Sequence, residues 1–168
     1  MMDSLWAPWR LQYVAAPKKS DESVKDCFIC RGQNEQNDKE NLIVLRESEV
    51  LVVLNRFPYN NGHLLIAPND HIGELTDLGD KQLLQCMQVI QRMVTILKGT
   101  MQPHGFNIGL NLGRAGGAGL PGHLHWHVVP RWNGDTNFMP VLGETKVISQ
   151  SLEALYELLQ GELHKTEN

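Results

Sequence analysis

The sequence has no apolar run approaching the roughly 20 residues that a membrane span requires. Its opening stretch, MMDSLWAPWRLQYV, lacks the apolar core of a signal peptide. Both absences point to a cytoplasmic protein with no membrane role. Cysteine is scarce. Cys27, Cys30 and Cys86 are an odd, small set that fits a reducing compartment better than a disulfide framework. Positive charge is not in excess: 15 Lys and Arg stand against 19 Asp and Glu, a net charge of -4. That excludes a general nucleic-acid binder, though not a local cationic pocket. There is no internal repeat, and no linker long enough to divide the chain. A single domain over 1–168 is expected, with 1–26 as an N-terminal arm and loop.

What is present is ordinary for a globular protein: 42% hydrophobic and 20% charged residues. The arm holds Trp6, Trp9 and Tyr13, an aromatic group suited to packing on the body or on a partner subunit. Residues 17–26 and 31–41 are polar and read as loops on either side of the short segment CFIC. LIVLR (42–46) and VLVVLN (50–55) are β-branched and apolar, and Glu-Ser-Glu between them suggests a hairpin. Asn61-Gly62 favours positive φ before a third strand at 63–68. Residues 77–98 read as a helix, with Leu83, Met87, Ile90, Val94 and Leu97 at spacings of three and four. Asp77 or Asp80 is its expected cap, and Gly99 follows it. Cys86 lies beside that stripe and is expected to be a buried structural thiol. Strands at 105–113 and 123–130 flank a glycine-rich loop at 114–122. A last helix runs from about 149 to 163, with Leu152, Leu155, Tyr156 and Leu159 on one face. Strands, helix, strands and helix joined by short links predict an α+β fold with an antiparallel sheet.

The strongest signal is Gly122-His123-Leu124-His125-Trp126-His127-Val128-Val129. Side chains alternate along a strand, so the three histidines share one face, roughly 7 Å apart in succession. Leu124, Trp126 and Val128 take the other face, toward the core. A row of imidazoles is costly to bury unless each has a partner. Alternate residues on one strand also spread too far for all three to ligate one metal ion. Cys27-Phe28-Ile29-Cys30 is a second signal, open to a redox or a metal reading. The redox reading wants a thioredoxin-like βαβ unit, which the element order does not supply.

The alternating histidines resemble the signature of the histidine triad superfamily. Asn55-Arg56-Phe57-Pro58-Tyr59-Asn60-Asn61-Gly62-His63 resembles its nucleoside-binding strand and turn, and Asn107 through Gly117 its strand and glycine loop. Leu5 to Arg10 and Arg131 to Phe138 resemble one branch, the bacterial diadenosine tetraphosphate phosphorylases and their relatives. The resemblance implies a covalent mechanism. His125 would attack a nucleoside α-phosphate, His127 would assist charge or leaving-group protonation, and His63 would organise the triad. A neutral imidazole is a competent nucleophile at phosphorus. Asn55 would bind the ribose hydroxyls and Asn111 would orient the phosphates. Many relatives carry Gln or Ser three to four residues before the first triad histidine. Here Ala118-Gly119-Leu120-Pro121 offers no side-chain donor, so backbone N–H groups from Gly117 to Gly119 are the expected substitutes.

The implied substrate is a diadenosine polyphosphate, with phosphate or water as acceptor. The alternatives are a purine nucleoside phosphoramidase and a nucleotide-binding signalling module with little turnover. Relatives with this C-x-x-C imply a structural zinc bound by Cys27, Cys30, His71 and His123, a closed tetrahedral set. His104 and His164 read as surface residues. The resemblance also implies at least a homodimer.

Overall fold

The structure is a computed structural model that describes Val24 and residues 27–135 and 148–167. The aromatic arm, the segment Thr136 to Phe138 and Lys146 lie outside the described residues. Five strands form one antiparallel sheet: β1 (Ile43–Arg46), β2 (Val50–Leu54), β3 (Leu64–Pro68), β4 (Gly105–Leu110) and β5 (Trp126–Arg131), in the order β1-β2-β3-β5-β4. The expected α+β class holds. The first hairpin closes where Glu-Ser-Glu predicts, with Glu47 N–H donating to Val50 C=O.

Strands β2 and β3 are buried at every position, so both faces of the sheet are covered here. Val50, Val52, Leu54, Leu64 and Ile66 meet the long helix α3 (Asp80–Met101) and the C-terminal helix α4 (Leu152–Glu167). Leu51, Val53, Leu65 and Ala67 meet Cys27, Ile29, Cys30 and Leu120 on the opposite face. Burial on both sides explains why these strands read as continuous apolar runs rather than as alternating ones. Each fully buried Leu or Ile contributes on the order of 1.5–3 kcal/mol through removal of apolar surface from water.

Several local expectations change. The stretch read as loop at 31–41 contains the end of α1 (Phe28–Asn34) and all of α2 (Asp38–Asn41). Cys27 caps α1, its Sγ accepting from Cys30 N–H. Arg46, reaching across from β1, donates to the orphan carbonyls of Gly32, Gln33 and Glu35 while pairing with Asp38. These elements are therefore tied by a tertiary contact that local propensity does not encode.

Helix α3 starts at Asp80 without a side-chain cap, its N-cap being Gly79. It runs through Gly99 and ends at Gln102 in the left-handed region, φ 49. Its buried stripe is Cys86, Val89, Ile90, Met93, Ile96 and Leu97, whereas Leu83 and Met87 are partly exposed. The apolar arc is wider than one face, and the sheet takes the edge that contains Cys86. That thiol is fully buried, and burial pushes it up to about 12. Leu155, Tyr156, Leu159 and Leu163 form the buried face of α4. The fourth strand stops at Leu110, short of 113, and the fifth begins only at Trp126.

Candidate active site and metal centre

Alternation decides which side chains meet. Asn55 continues the β2 series Leu51 and Val53. His63 precedes the β3 series Leu65 and Ala67, and His127 pairs directly with Leu65. All three therefore emerge on the face opposite the two long helices. Leu124, Trp126 and Val128 point into the helix-side core, as the pattern predicts.

His63 is almost fully buried. Its Nδ1 accepts from Tyr59 N–H at 3.0 Å and lies 3.3 Å from Asn55 Nδ2. A backbone amide can only donate, so in the neutral ring the proton sits on Nε2. That nitrogen lies 2.9 Å from His127 Nδ1 and donates to it, which places the His127 proton on Nε2. Tyr59 covers the pair, its ring 5.5 Å from that of His127 and 4.6 Å from that of His63. Asn111 Nδ2 stands 3.5 Å from His127 Nε2, two donors that face the same space.

His125 is buried, with its ring centroid 5.1 Å from that of His127. Its Nδ1 lies 2.8 Å from the carbonyl oxygen of His123. A carbonyl accepts only, so Nδ1 carries the proton and Nε2 keeps its lone pair. Burial holds His125 below the ordinary imidazole range. It lowers His127 to about 4, with the neighbouring His125 adding to the effect. Both rings stay neutral near pH 7.

His123 leaves the row. It precedes β5 and turns toward the cysteines, so the three histidines are not an even ladder. Its Nε2 donates to the Pro68 carbonyl at 2.8 Å, which leaves Nδ1 unprotonated. That atom lies 3.3 Å from Cys27 Sγ and 3.4 Å from Cys30 Sγ. His71 Nδ1 lies 3.2 Å from Cys30 Sγ. One donor atom from each of Cys27, Cys30, His71 and His123 falls within 4.8 Å of the others, so the cluster is able to hold a metal ion. Its chemistry fits a cation. Burial pushes the Cys30 thiol up to about 12, with Cys27 adding to the effect, so a buried thiolate here needs a positive partner.

Next to the histidines, a cavity of about 280 Å³ opens between α1 and β2. Phe28, Leu42, Val53, Leu65 and Phe57 line it, with Asn55 and Arg31 among its polar groups. Asn55 also ends its strand in a local turn, its Oδ1 accepting from Phe57 N–H. A second cleft of about 380 Å³ lies along β4, lined by Tyr59, Asn107, Gly109, Asn111 and His127. The glycine loop uses much of its own backbone: Gly117 N–H donates to Arg114 C=O and Ala118 N–H to Gly113 C=O. Of the expected N–H donors, those of Gly117 and Ala118 are thus engaged. Gly119 is exposed.

Residues 36–134 match the HIT domain family. The chain belongs to that family. An AP-4-A phosphorylase of Mycobacterium tuberculosis is 42% identical over 164 residues, covering 96% of this chain and 84% of that protein. An uncharacterised HIT-like protein of Methanocaldococcus jannaschii is 30% identical over 120 residues, 71% of this chain and 89% of its own length. Among solved structures, a Zn-bound histidine triad family protein from Mycobacterium smegmatis superposes with a TM-score of 0.62 at 27% identity, covering 75% of this chain and 86% of its own.

Within the HIT framework, His63, His125 and His127 meet in one cluster beside Asn55 and Asn111, and His123 joins Cys27, Cys30 and His71 in the other. His104 accepts from Asn133 N–H and His164 is exposed, apart from both clusters. Sequence reasoning missed the role of Tyr59, whose ring stacks on His127 and tilts against His63, and of Asp135, which holds Arg131. Arg114, Arg131 and Lys146 are cations in the segments flanking the triad or the glycine loop, and of these Arg131 is held by a carboxylate. Its Nε and Nη2 are bound by Asp135 at 2.7 and 2.8 Å.

Proposed function

We propose that this protein cleaves dinucleoside polyphosphates at the α-phosphate through a covalent nucleotidyl-His125. The observation that carries this reading is the His125–His123 hydrogen bond, which leaves His125 Nε2 as a buried neutral lone pair beside a neutral His127. The cavity along β2 takes the nucleoside, its apolar wall against the base and Asn55 toward the ribose diol, since an amide both donates and accepts. Nε2 of His125 forms the bond to phosphorus. The bridging P–O bond breaks, and the leaving phosphate oxygen departs with the electron pair as an anion, accepting a hydrogen bond from His127 Nε2–H. In the second half an anionic oxygen of the acceptor attacks phosphorus while His127 Nε2–H donates a hydrogen bond to the phosphoryl oxygens. The P–N bond breaks, and its pair returns to His125.

The acceptor we assign is inorganic phosphate, in keeping with the 42% identical AP-4-A phosphorylase. A dianion needs local positive charge. Arg114, exposed in the glycine loop, is the assigned source. Incubation with diadenosine tetraphosphate and labelled phosphate tests this: labelled ADP with ATP supports phosphorolysis. AMP with ATP, insensitive to phosphate, identifies water as acceptor and the protein as a hydrolase.

Cys27, Cys30, His71 and His123 would hold a structural zinc, whose role is to fix α1 and the start of β5 in place. A homodimer is also proposed. It is supported by β4 lying at the sheet edge with Ile108 partly exposed, and light scattering tests it.

A further inference from the structure

The segment from Arg131 to Asp135 has no place in the chemistry above, yet its carboxylate is deeply engaged. Asp135, with only 10% of its side chain exposed, accepts from Arg131 Nε at 2.7 Å, Arg131 Nη2 at 2.8 Å and Trp132 N–H at 3.0 Å. Its Oδ2 also accepts from Asn60 Nδ2 at 2.8 Å. That fourth bond leaves the strand end and crosses to the turn between β2 and β3.

Asn60 is the hub of that turn. Its Nδ2 also donates to Pro130 C=O at 3.1 Å, its Oδ1 accepts from Asn61 N–H, and its carbonyl accepts from His63 N–H. The preceding residue, Tyr59, supplies the amide that donates to His63 Nδ1. The aim of that amide decides which nitrogen of His63 is protonated. It thereby decides whether His63 donates to His127 or competes with it for a proton. A carboxylate with several donors is among the firmest anchors available.

We propose that Asp135 is a positioning residue that acts through Asn60. It pins the turn that delivers the Tyr59 amide to His63 Nδ1, and so selects the His63 tautomer that donates to His127. Arg131 is the ion-pair partner that holds Asp135 in orientation. The inference rests on the reading of His63 and His127 as parts of the active site, but its first readout needs no substrate.

The test uses the full chain carrying ¹⁵N-histidine, as wild type, Asp135→Ala and Asn60→Ala. Long-range ¹H–¹⁵N spectra report the tautomer of each ring. The wild type is expected to hold His63 in the Nε2–H form, and both variants to mix the two forms while keeping the wild-type far-ultraviolet circular dichroism. With diadenosine tetraphosphate, kcat should fall on the order of ten- to a hundredfold with KM nearly unchanged, the usual cost of mispositioning without lost contacts. The double variant should be no worse than Asp135→Ala, because the two residues form one path. If Asp135→Ala does not fold, Asn60→Ala alone decides. A folded variant with an unchanged His63 tautomer overturns the proposal, whatever its activity. A shifted tautomer in a protein that proves not to form the adenylate leaves this inference standing and removes only the reading of the reaction.

Discussion

The carbonyl oxygen of His123 accepts a 2.8 Å hydrogen bond from Nδ1 of His125. One residue thus serves two clusters: its ring belongs to the four-donor cluster and its backbone sets the proton on His125. This bond gives His125 a lone pair on Nε2 without a general base.

From it follows the first expectation. His125→Ala and His125→Gly should retain the fold and lose at least ~10³-fold in turnover, since a covalent nucleophile has no substitute at its position. Intact mass after a quench should show a nucleotidyl adduct on the wild type alone. Near-normal turnover in either variant would remove His125 from the reaction.

The metal cluster makes a second. Purified protein should carry about one zinc per chain, as a closed four-ligand site requires. Cys27→Ser should lose the metal and lower the melting temperature clearly, while reducing kcat far less than His125→Ala does. A metal-free preparation with the full melting temperature is the contrary result.

A third concerns pH. Burial, with His125 second, lowers His127 to about 4. A lowered value means that the folded site binds its proton less readily than free imidazole. The neutral form therefore persists as pH falls through about 6.5 and is lost only near the depressed value. The acid limb of kcat/KM, which reports the free enzyme, should have its midpoint below about 5. A midpoint near 6.5 would mean that His127 is solvated and ordinary.

Gly62 offers a fourth. It sits at φ +79 beside His63, and an added Cβ would meet Pro130 Cγ at 2.9 Å and Met101 Sδ at 3.0 Å. Gly62→Ala combines left-handed strain with a close contact against a rigid ring. It should cost roughly 1–3 kcal/mol, read as a lower urea midpoint, and should reduce kcat by shifting His63. Gly99→Ala, in open space within α3, should be neutral or stabilising by comparison.

The legible parts of this molecule are those encoded by period. Alternation places Leu124, Trp126 and Val128 in the helix-side core and His127 on the opposite face, but it does not foresee that His123 turns away to the cysteines. The β-branched runs place β1 to β3 within a residue. The donor atoms of Cys27, Cys30, His71 and His123, far apart in sequence, converge as the family resemblance implies. What escaped is set by tertiary contact. Helices α1 and α2 have only 7 and 4 residues, too short for a periodic signal, and Arg46 ties them from another element. Periodicity found α3 but chose the wrong edge of its stripe, because Leu83, Leu84 and Met87 extend the apolar arc past the buried face. The roles of Tyr59 and Asp135 depend on a turn meeting a strand end. Neither residue type nor spacing announces that.

The four donors of the metal cluster span the chain from Cys27 to His123. Two are nearest neighbours on one helical turn, and the others arrive 41 and 93 residues beyond Cys30. Closing such loops costs chain entropy before any contact repays it. Of the two closures, the one that brings in His123 is therefore the more costly. A growing chain exposes its cysteine pair long before its histidine partners exist. The residue that closes the longer loop also fixes, through its carbonyl, the proton of His125, so one closure shapes both clusters.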